Sequence, residues 1–259
     1  MDWHFVVAGL IVGVLVGLTG IGGSSLLAPL LILLLGVKPI VAVGTDLAYS
    51  VPTKLLAAYL HGKQATIDRA WVKMLLIGGV PGVLAGVALL AVLRAHADLA
   101  LLNLEIRHWI GGAILLACAV TVFVALRAWL GLEGTTSVRG ADGERNRLIA
   151  IGAAVGFLVA MTSIGSGSLT LPLMMLALPA ATLRRLIGSE IAFAALLIPV
   201  AALGHTALGD VDVRSTLSLV AGSLPGALIG SRLSRIVSET WLRPVAIAVL
   251  AFAASRLLL

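Results

Sequence analysis

The chain has 259 residues, of which 60% are hydrophobic and 12% charged, with a mean hydropathy of +1.11. A soluble domain usually carries about 25% charged residues, so long apolar runs divided by short charged loops point to a bilayer rather than to soluble domains. The formal net charge of +6 does not indicate nucleic acid, because the basic residues lie between apolar segments without a stripe of interleaved aromatics. They read instead as topology signals.

The first apolar stretch is interrupted. Residues 5–18 and 24–35 are separated by GLTGIGGSS, and each piece reaches only about 15–20 Å at about 1.5 Å per residue. That is short of a hydrocarbon core of about 30 Å, so half-helices with a glycine-rich break are expected. Three runs follow that are long enough to span: 40–61, 70–93 and 106–127. Cys118 is the single cysteine and lies in the last of these, within GGAILLACAVTVFVAL. One cysteine excludes an internal disulfide, and its surroundings fit a small packing residue.

Residues 128–147 hold GLEGTTSVRGADGERNR, the one extended polar linker, and divide a first unit, 1–127, from a second, 148–259. The second unit opens like the first. Residues 148–161 and 168–178 are separated by TSIGSGS, and spanning runs follow at 186–205, 213–231 and 241–258. The start of the chain (Met1, Asp2, Trp3, His4) lacks the basic region and cleavage site of a secretory leader.

The two units are related by sequence. At an offset of 143, Thr19-Gly20-Ile21-Gly22-Gly23-Ser24-Ser25-Leu26 meets Thr162-Ser163-Ile164-Gly165-Ser166-Gly167-Ser168-Leu169, and Pro29 meets Pro172. One residue further, Gly44-Thr45-Asp46 meets Gly188-Ser189-Glu190 and His61 meets His205. Gly78, Pro81, Gly82 and Gly86 likewise meet Gly222, Pro225, Gly226 and Gly230. Glycines four residues apart put small residues on one helix face, where helix backbones can approach closely in lipid.

Charge chooses between topologies. If each broken pair is a re-entrant hairpin returning to its starting side, each unit crosses three times and the second is inverted. Lys and Arg then divide 12 to 5 between the two sides, against 9 to 8 if each pair crosses once. The positive-inside rule selects the uneven split, with the linker cytoplasmic and both termini outside. The expected fold is all-α: a multi-pass protein of the cell (inner) membrane with two inverted repeats, each a broken re-entrant hairpin plus three transmembrane helices.

The breaks carry the strongest site signal. A half-helix beginning at Ser24 or Ser168 offers unpaired backbone N–H groups and the positive end of its dipole, which together suit an anion. Gly22, Gly23, Gly165 and Gly167 permit close backbone approach, and Thr19, Ser24, Ser25, Thr162, Ser166 and Ser168 supply hydroxyls. Those hydroxyls are equally suited to capping their own helices. Lys54 lies well inside a spanning run, where a charge costs free energy and reads as a substrate or ion-pair position, the alternative being a side chain that snorkels to an interface; its counterpart is Ile198. Asp46 and Glu190 form a repeat-related acidic pair able to relay protons or to hold loop groups in place. His61 and His205 end their helices, as structural groups or proton carriers. No metal-ligand spacing, cofactor motif or Ser-His-Asp arrangement is present.

These residues resemble the sulfite exporter TauE/SafE family, also called the 4-toluene sulfonate uptake permease family. The resemblance rests on GLTGIGGSSLLAPLL, VGTDLAYSVPTKLLAAYLHG, Ile67-Asp68 and GGVPGVLAG, with the second-half partners GSGSLTLPLMML, GSEIAF and GSLPGALIG. It covers nearly the whole chain. It implies a non-enzymatic secondary transporter of sulfur-containing anions such as sulfite, sulfonates or sulfoacetate, with protons as a coupling ion. On this view the partners are the anion and the lipid bilayer, without nucleic acid or cofactor. An anion channel, an intramembrane lipid-modifying enzyme and a non-transporting subunit are the competing classes.

The topology has a direct test. Single cysteines at Ser137 and beside Met1, in a Cys118→Ala background, should react with impermeant maleimide from opposite faces of the membrane. Labelling of both from one face would exclude the inverted arrangement.

Overall fold

The computed structural model describes residues 3–19, 24–96, 98–131, 141–233 and 239–259. Among these it is helical, without a strand. The helices are α1 (Trp3–Thr19), α2 (Ser24–Leu35), α3 (Pro39–Lys63), α4 (Arg69–His96), α5 (Leu99–Trp129), α6 (Ala141–Thr162), α7 (Thr170–Ala177), α8 (Leu183–Ala207), α9 (Val213–Leu233) and α10 (Glu239–Leu258).

Four stretches among the described residues are long and apolar enough to cross a membrane: α4, α5, Gly143–Thr162 of α6, and α8. Their outward faces carry large apolar side chains, including Leu84, Leu116, Phe123 and Leu203, as a lipid solvent requires. Helix α3 has 25 residues but places Thr45, Asp46, Ser50, Thr53 and Lys54 in its middle.

Helix α6 differs from the expected half-helix at 148–161. It begins at Ala141 and has 22 residues, about 33 Å at the α-helical rise. Glu144, Arg145 and Arg147 favour helix and carry the apolar segment back into the polar stretch. Helix α7, with 8 residues, remains a short piece of about 12 Å.

The two halves are packed into each other through exchanged contacts. A Cβ on Gly9 would strike the Leu219 carbonyl, and one on Gly13 the Ser223 carbonyl; the counterparts Gly152 and Gly156 stand against the carbonyls of Leu75 and Gly79. Likewise Gly78 and Gly82 abut the carbonyls of Ile149 and Ala153, while Gly222 and Gly226 abut those of Val6 and Leu10. Every contact between α1 and α9 in this set has its repeat mate between α6 and α4. Only a residue without a side chain allows helix axes this close.

Helices α3 and α8 form the seam between halves. Gly44, near the start of α3, meets the Asp210 backbone just beyond the end of α8, and Gly188, near the start of α8, meets the Thr66 backbone just beyond α3. The two helices therefore run in opposite directions. The connections obey the same exchange. The Asp68 amide donates to Ser189 Oγ at 2.8 Å, and the Asp212 amide to Thr45 Oγ1 at 3.3 Å.

Each of those aspartates then caps the helix that follows. Asp68 Oδ1 accepts from the amides of Ala70 and Trp71, and Asp212 Oδ1 from those of Arg214 and Ser215. The Ser215 hydroxyl and these amides hold the Asp212 carboxyl below the usual carboxylate range.

The glycine contacts are testable by adding one methyl group. Gly78→Ala and Gly222→Ala push Cβ into fixed backbone, and overpacking of this kind costs about 1–3 kcal/mol. Gly112→Ala, with nothing within 4 Å of its Cβ, should be neutral. Thermal unfolding in detergent should show a lowered midpoint for the first two variants and no shift for the third.

Candidate functional site

Residues 46, 50 and 54 stand at four-residue spacing on α3 and so share one face. That face turns toward α8 and the break between α6 and α7. The packing surrounds Asp46 completely, and a buried carboxylate requires hydrogen-bonding partners. Ser163 Oγ donates to Asp46 Oδ2 at 2.8 Å, and Ser50 Oγ lies 3.5 Å from Oδ1.

The break is a tight turn with unusual backbone. Ser163 has φ +60° and Gly165 φ +122°, and the latter value suits a residue without Cβ. Thr162 Oγ1 donates to the Leu158 carbonyl at 2.7 Å and accepts from the Ile164 amide at 3.2 Å. Thr162 thus finishes its own helix.

Three of the amides expected to stand unpaired at the next half-helix have acceptors within the turn. The helix begins at Thr170 rather than Ser168, and the amides of Leu169 and Thr170 donate to the Gly165 carbonyl at 3.4 and 3.1 Å. The Leu171 amide donates to the Gly167 carbonyl at 3.4 Å, and Pro172 has no N–H. Because the turn folds back on itself, its own carbonyls consume the helix-end donors. The α7 end also offers its dipole and the Ser168 hydroxyl, whose Oγ is buried without a hydrogen bond among the described residues. Ser166 is fully buried.

Lys54 reaches across the seam to Glu190. Their Nζ and Oε1 atoms are 3.2 Å apart, and the side chains are only 11% and 6% exposed. Gly167 lies directly against this pair: a Cβ there would stand 3.5 Å from Glu190 Oε1 and 3.6 Å from Lys54 Nζ. The break thus brings a backbone without a side chain up to a buried cation and its counter-ion. The seam gathers Asp46, Lys54, Glu190 and residues 162–168 into one polar cluster inside an apolar bundle.

Gly22 and Gly23 of the first break lie outside the described residues, as do the side chains of Thr19, Ser24 and Ser25.

The histidines stand apart from this cluster. His61 Nδ1 lies 3.0 Å from Thr66 Oγ1 in the connection after α3. His205 is buried, with Nε2 2.8 Å from the Ala160 carbonyl; a carbonyl only accepts, so Nε2 carries the hydrogen. Its Nδ1 is 3.7 Å from Asp210 Oδ2. Arg94 Nη1 holds the other Asp210 oxygen at 2.6 Å and also donates to the Leu208 carbonyl.

Ser163 and this Arg94–Asp210 pair escape sequence pattern. Ser163 aligns with Gly20, so the repeat gives no hint of a conserved hydroxyl function there. Arg94 and Asp210 are 116 residues apart, and only tertiary packing joins them.

A family model described as "Sulfite exporter TauE/SafE" matches residues 5–257. The chain belongs to the TauE/SafE family. A protein of Bacillus subtilis (strain 168) named "Probable membrane transporter protein YjnA" is 38% identical over 238 residues, covering 90% of this chain and 91% of its own length. Two more from the same organism, "Probable membrane transporter protein YdhB" and "Probable membrane transporter protein YunE", are 24% and 26% identical. YdhB covers 90% of each chain; YunE covers 89% of this chain and 87% of its own. No solved structure matches. In this TauE/SafE chain the matched region includes both breaks and the whole seam.

The ion pair predicts a sign pattern. Removing one partner strands a buried charge, which costs about 3–5 kcal/mol, whereas replacing both is close to neutral. Lys54→Met alone should lower thermal stability in detergent, and Lys54→Met with Glu190→Gln should restore most of it. Equal losses in the single and double variants would mean that the two residues do not pair.

Proposed function

We propose that this TauE/SafE chain is a secondary transporter of the cell membrane that carries small sulfur-containing anions of the sulfite, sulfonate or sulfoacetate type. The observation that carries the proposal is the buried Lys54–Glu190 pair set against Gly167 in the break. A cation enclosed in an apolar bundle beside an unfilled backbone position is suited to a compact anion. The α7 dipole and the Ser168 hydroxyl add to its attraction.

The antiparallel α3–α8 seam and the exchanged glycine contacts support two inverted repeats, with the pseudo-two-fold axis in the membrane plane and the seam near the midplane. The charge split supports a cytoplasmic central linker and external termini. Glycine breaks inside a bilayer are tolerable only where protein or water covers them, and the second break is covered by α3 and α8.

Proton coupling follows from charge balance at the pair. An anion reaching Lys54 approaches the Glu190 carboxylate. Two like charges about 4 Å apart repel by about 4 kcal/mol at an effective dielectric constant of about 20. A proton on Glu190 removes this repulsion and frees Lys54 for the anion. The anion and the proton then enter the site together and leave together. Ser163 and Ser50 keep Asp46 fixed as a structural acid, and the two histidines brace the helix connections.

Proteoliposomes test this directly. Uptake of sulfite, isethionate or sulfoacetate should saturate, show counterflow and be driven by a proton gradient. Glu190→Gln should retain counterflow but lose gradient-driven accumulation. Unitary current without saturation would identify a channel, and flux indifferent to Lys54→Met/Glu190→Gln would place the anion elsewhere.

A further inference from the structure

An apolar groove lies on the outside of the bundle, away from the seam cluster. Between α4 and α8 runs an open groove of about 510 Å3, lined by Ile67, Val72, Leu76, Ile77, Ala192 and Leu196. Both helices are long and apolar enough to cross a membrane, so the groove faces the bilayer. Arg69 and Lys73 line the same groove. They are four residues apart on α4, and therefore on one helix face.

These two cations differ from their neighbours. Arg185 beside them is already engaged: Nη2 is 2.6 Å from Asp68 Oδ2, and its guanidinium lies 5.1 Å from the centre of the Trp71 ring. Arg69 and Lys73 are exposed, and among the described residues neither side chain has an ion-pair or hydrogen-bond partner. Asp68, the nearest acid in sequence, is occupied by Arg185 and by the start of α4. The groove mouth therefore carries two positive charges that no described residue compensates, above an apolar channel. Trp71 stands at the same level, where an indole marks the headgroup region.

The internal repeat supplies a comparison within one chain. The positions equivalent to Arg69 and Lys73 in the other half are Val213 and Leu217. The duplicated helix pair can thus be built without charge here, and packing does not demand the cations.

We infer that this groove is a site for one anionic phospholipid, with an acyl chain along the apolar lining and the headgroup phosphate between Arg69 and Lys73. Basic residues at the end of a groove between membrane helices have the chemistry for such a headgroup. The site is separate from the Lys54–Glu190 cluster and does not depend on the identity of the transported anion.

Native mass spectrometry of the full chain in detergent, with phosphatidylglycerol or phosphatidylcholine of identical acyl chains, reads the site. The parent should bind phosphatidylglycerol about tenfold more strongly than phosphatidylcholine, as expected for two cations at an anionic headgroup. Arg69→Gln/Lys73→Gln should bring the two lipids to parity. Lys38→Gln/Arg145→Gln, which removes two exposed charges elsewhere, should leave the preference intact. Leu196→Trp should reduce binding of both lipids by filling the channel. Phosphatidylglycerol preference that survives Arg69→Gln/Lys73→Gln would overturn the assignment. So would displacement of the lipid by equimolar inorganic phosphate, which would show an ion site without a lipid chain.

Discussion

Close backbone contact between the halves is the constraint on which the rest of the molecule depends. In lipid there is no hydrophobic gain from bringing two apolar helices together, so association relies on packing and on small residues at the crossing. Here the small residues are glycines on α1, α4, α6 and α9, and Gly9, Gly13, Gly78, Gly82, Gly152, Gly156, Gly222 and Gly226 each stand against a carbonyl of the opposite half. Neither half closes on itself: α1 needs α9, and α6 needs α4. This exchange leaves α3 and α8 side by side in opposite directions, and the polar cluster forms there.

Aligned positions of the two halves make matching backbone contacts, and the chemistry departs from that match. Asp46 and Glu190 are repeat mates, yet one is held by two serine hydroxyls and the other by a lysine. The lysine has an isoleucine as its own mate. Thr66 and Asp210 are mates as well, so His61 meets a hydroxyl while His205 faces a carboxylate already gripped by Arg94. Such asymmetry makes the two ends of the seam electrically different, although the backbone paths correspond.

The seam also shows why a glycine break should not be read as an anion cradle on dipole grounds alone. A turn that binds its own carbonyls uses the amides a ligand would need, and the break before α7 does so at Leu169, Thr170 and Leu171. The full positive charge that stands against the break is Lys54. Glu190 faces that charge at 3.2 Å, so the two ionic groups beside the break form one pair.

The sequence by itself determined the all-helical class and the long apolar segments, four of which among the described residues are long enough to cross a membrane, and it singled out Lys54, Asp46 and Glu190 as polar positions inside apolar runs. Those features are local: hydropathy over about 20 residues marks a segment long enough to span, and polar positions within it are visible in linear order. It also placed a break at 162–168, because glycine and serine interrupt an apolar run there, and α6 ends at Thr162 while α7 begins at Thr170. Tertiary structure alone decided that Lys54 pairs with Glu190 across 136 residues rather than with Asp46 on its own helix. The reason is geometric: eight residues along a helix separate two side chains by about 12 Å, while an antiparallel neighbour brings Glu190 to 3.2 Å. The extension of α6 back to Ala141 and the role of Ser163 were likewise settled by packing. Residues 141–147 are polar enough to pass for linker, and a serine hydroxyl gains its meaning only from the buried carboxylate that it meets.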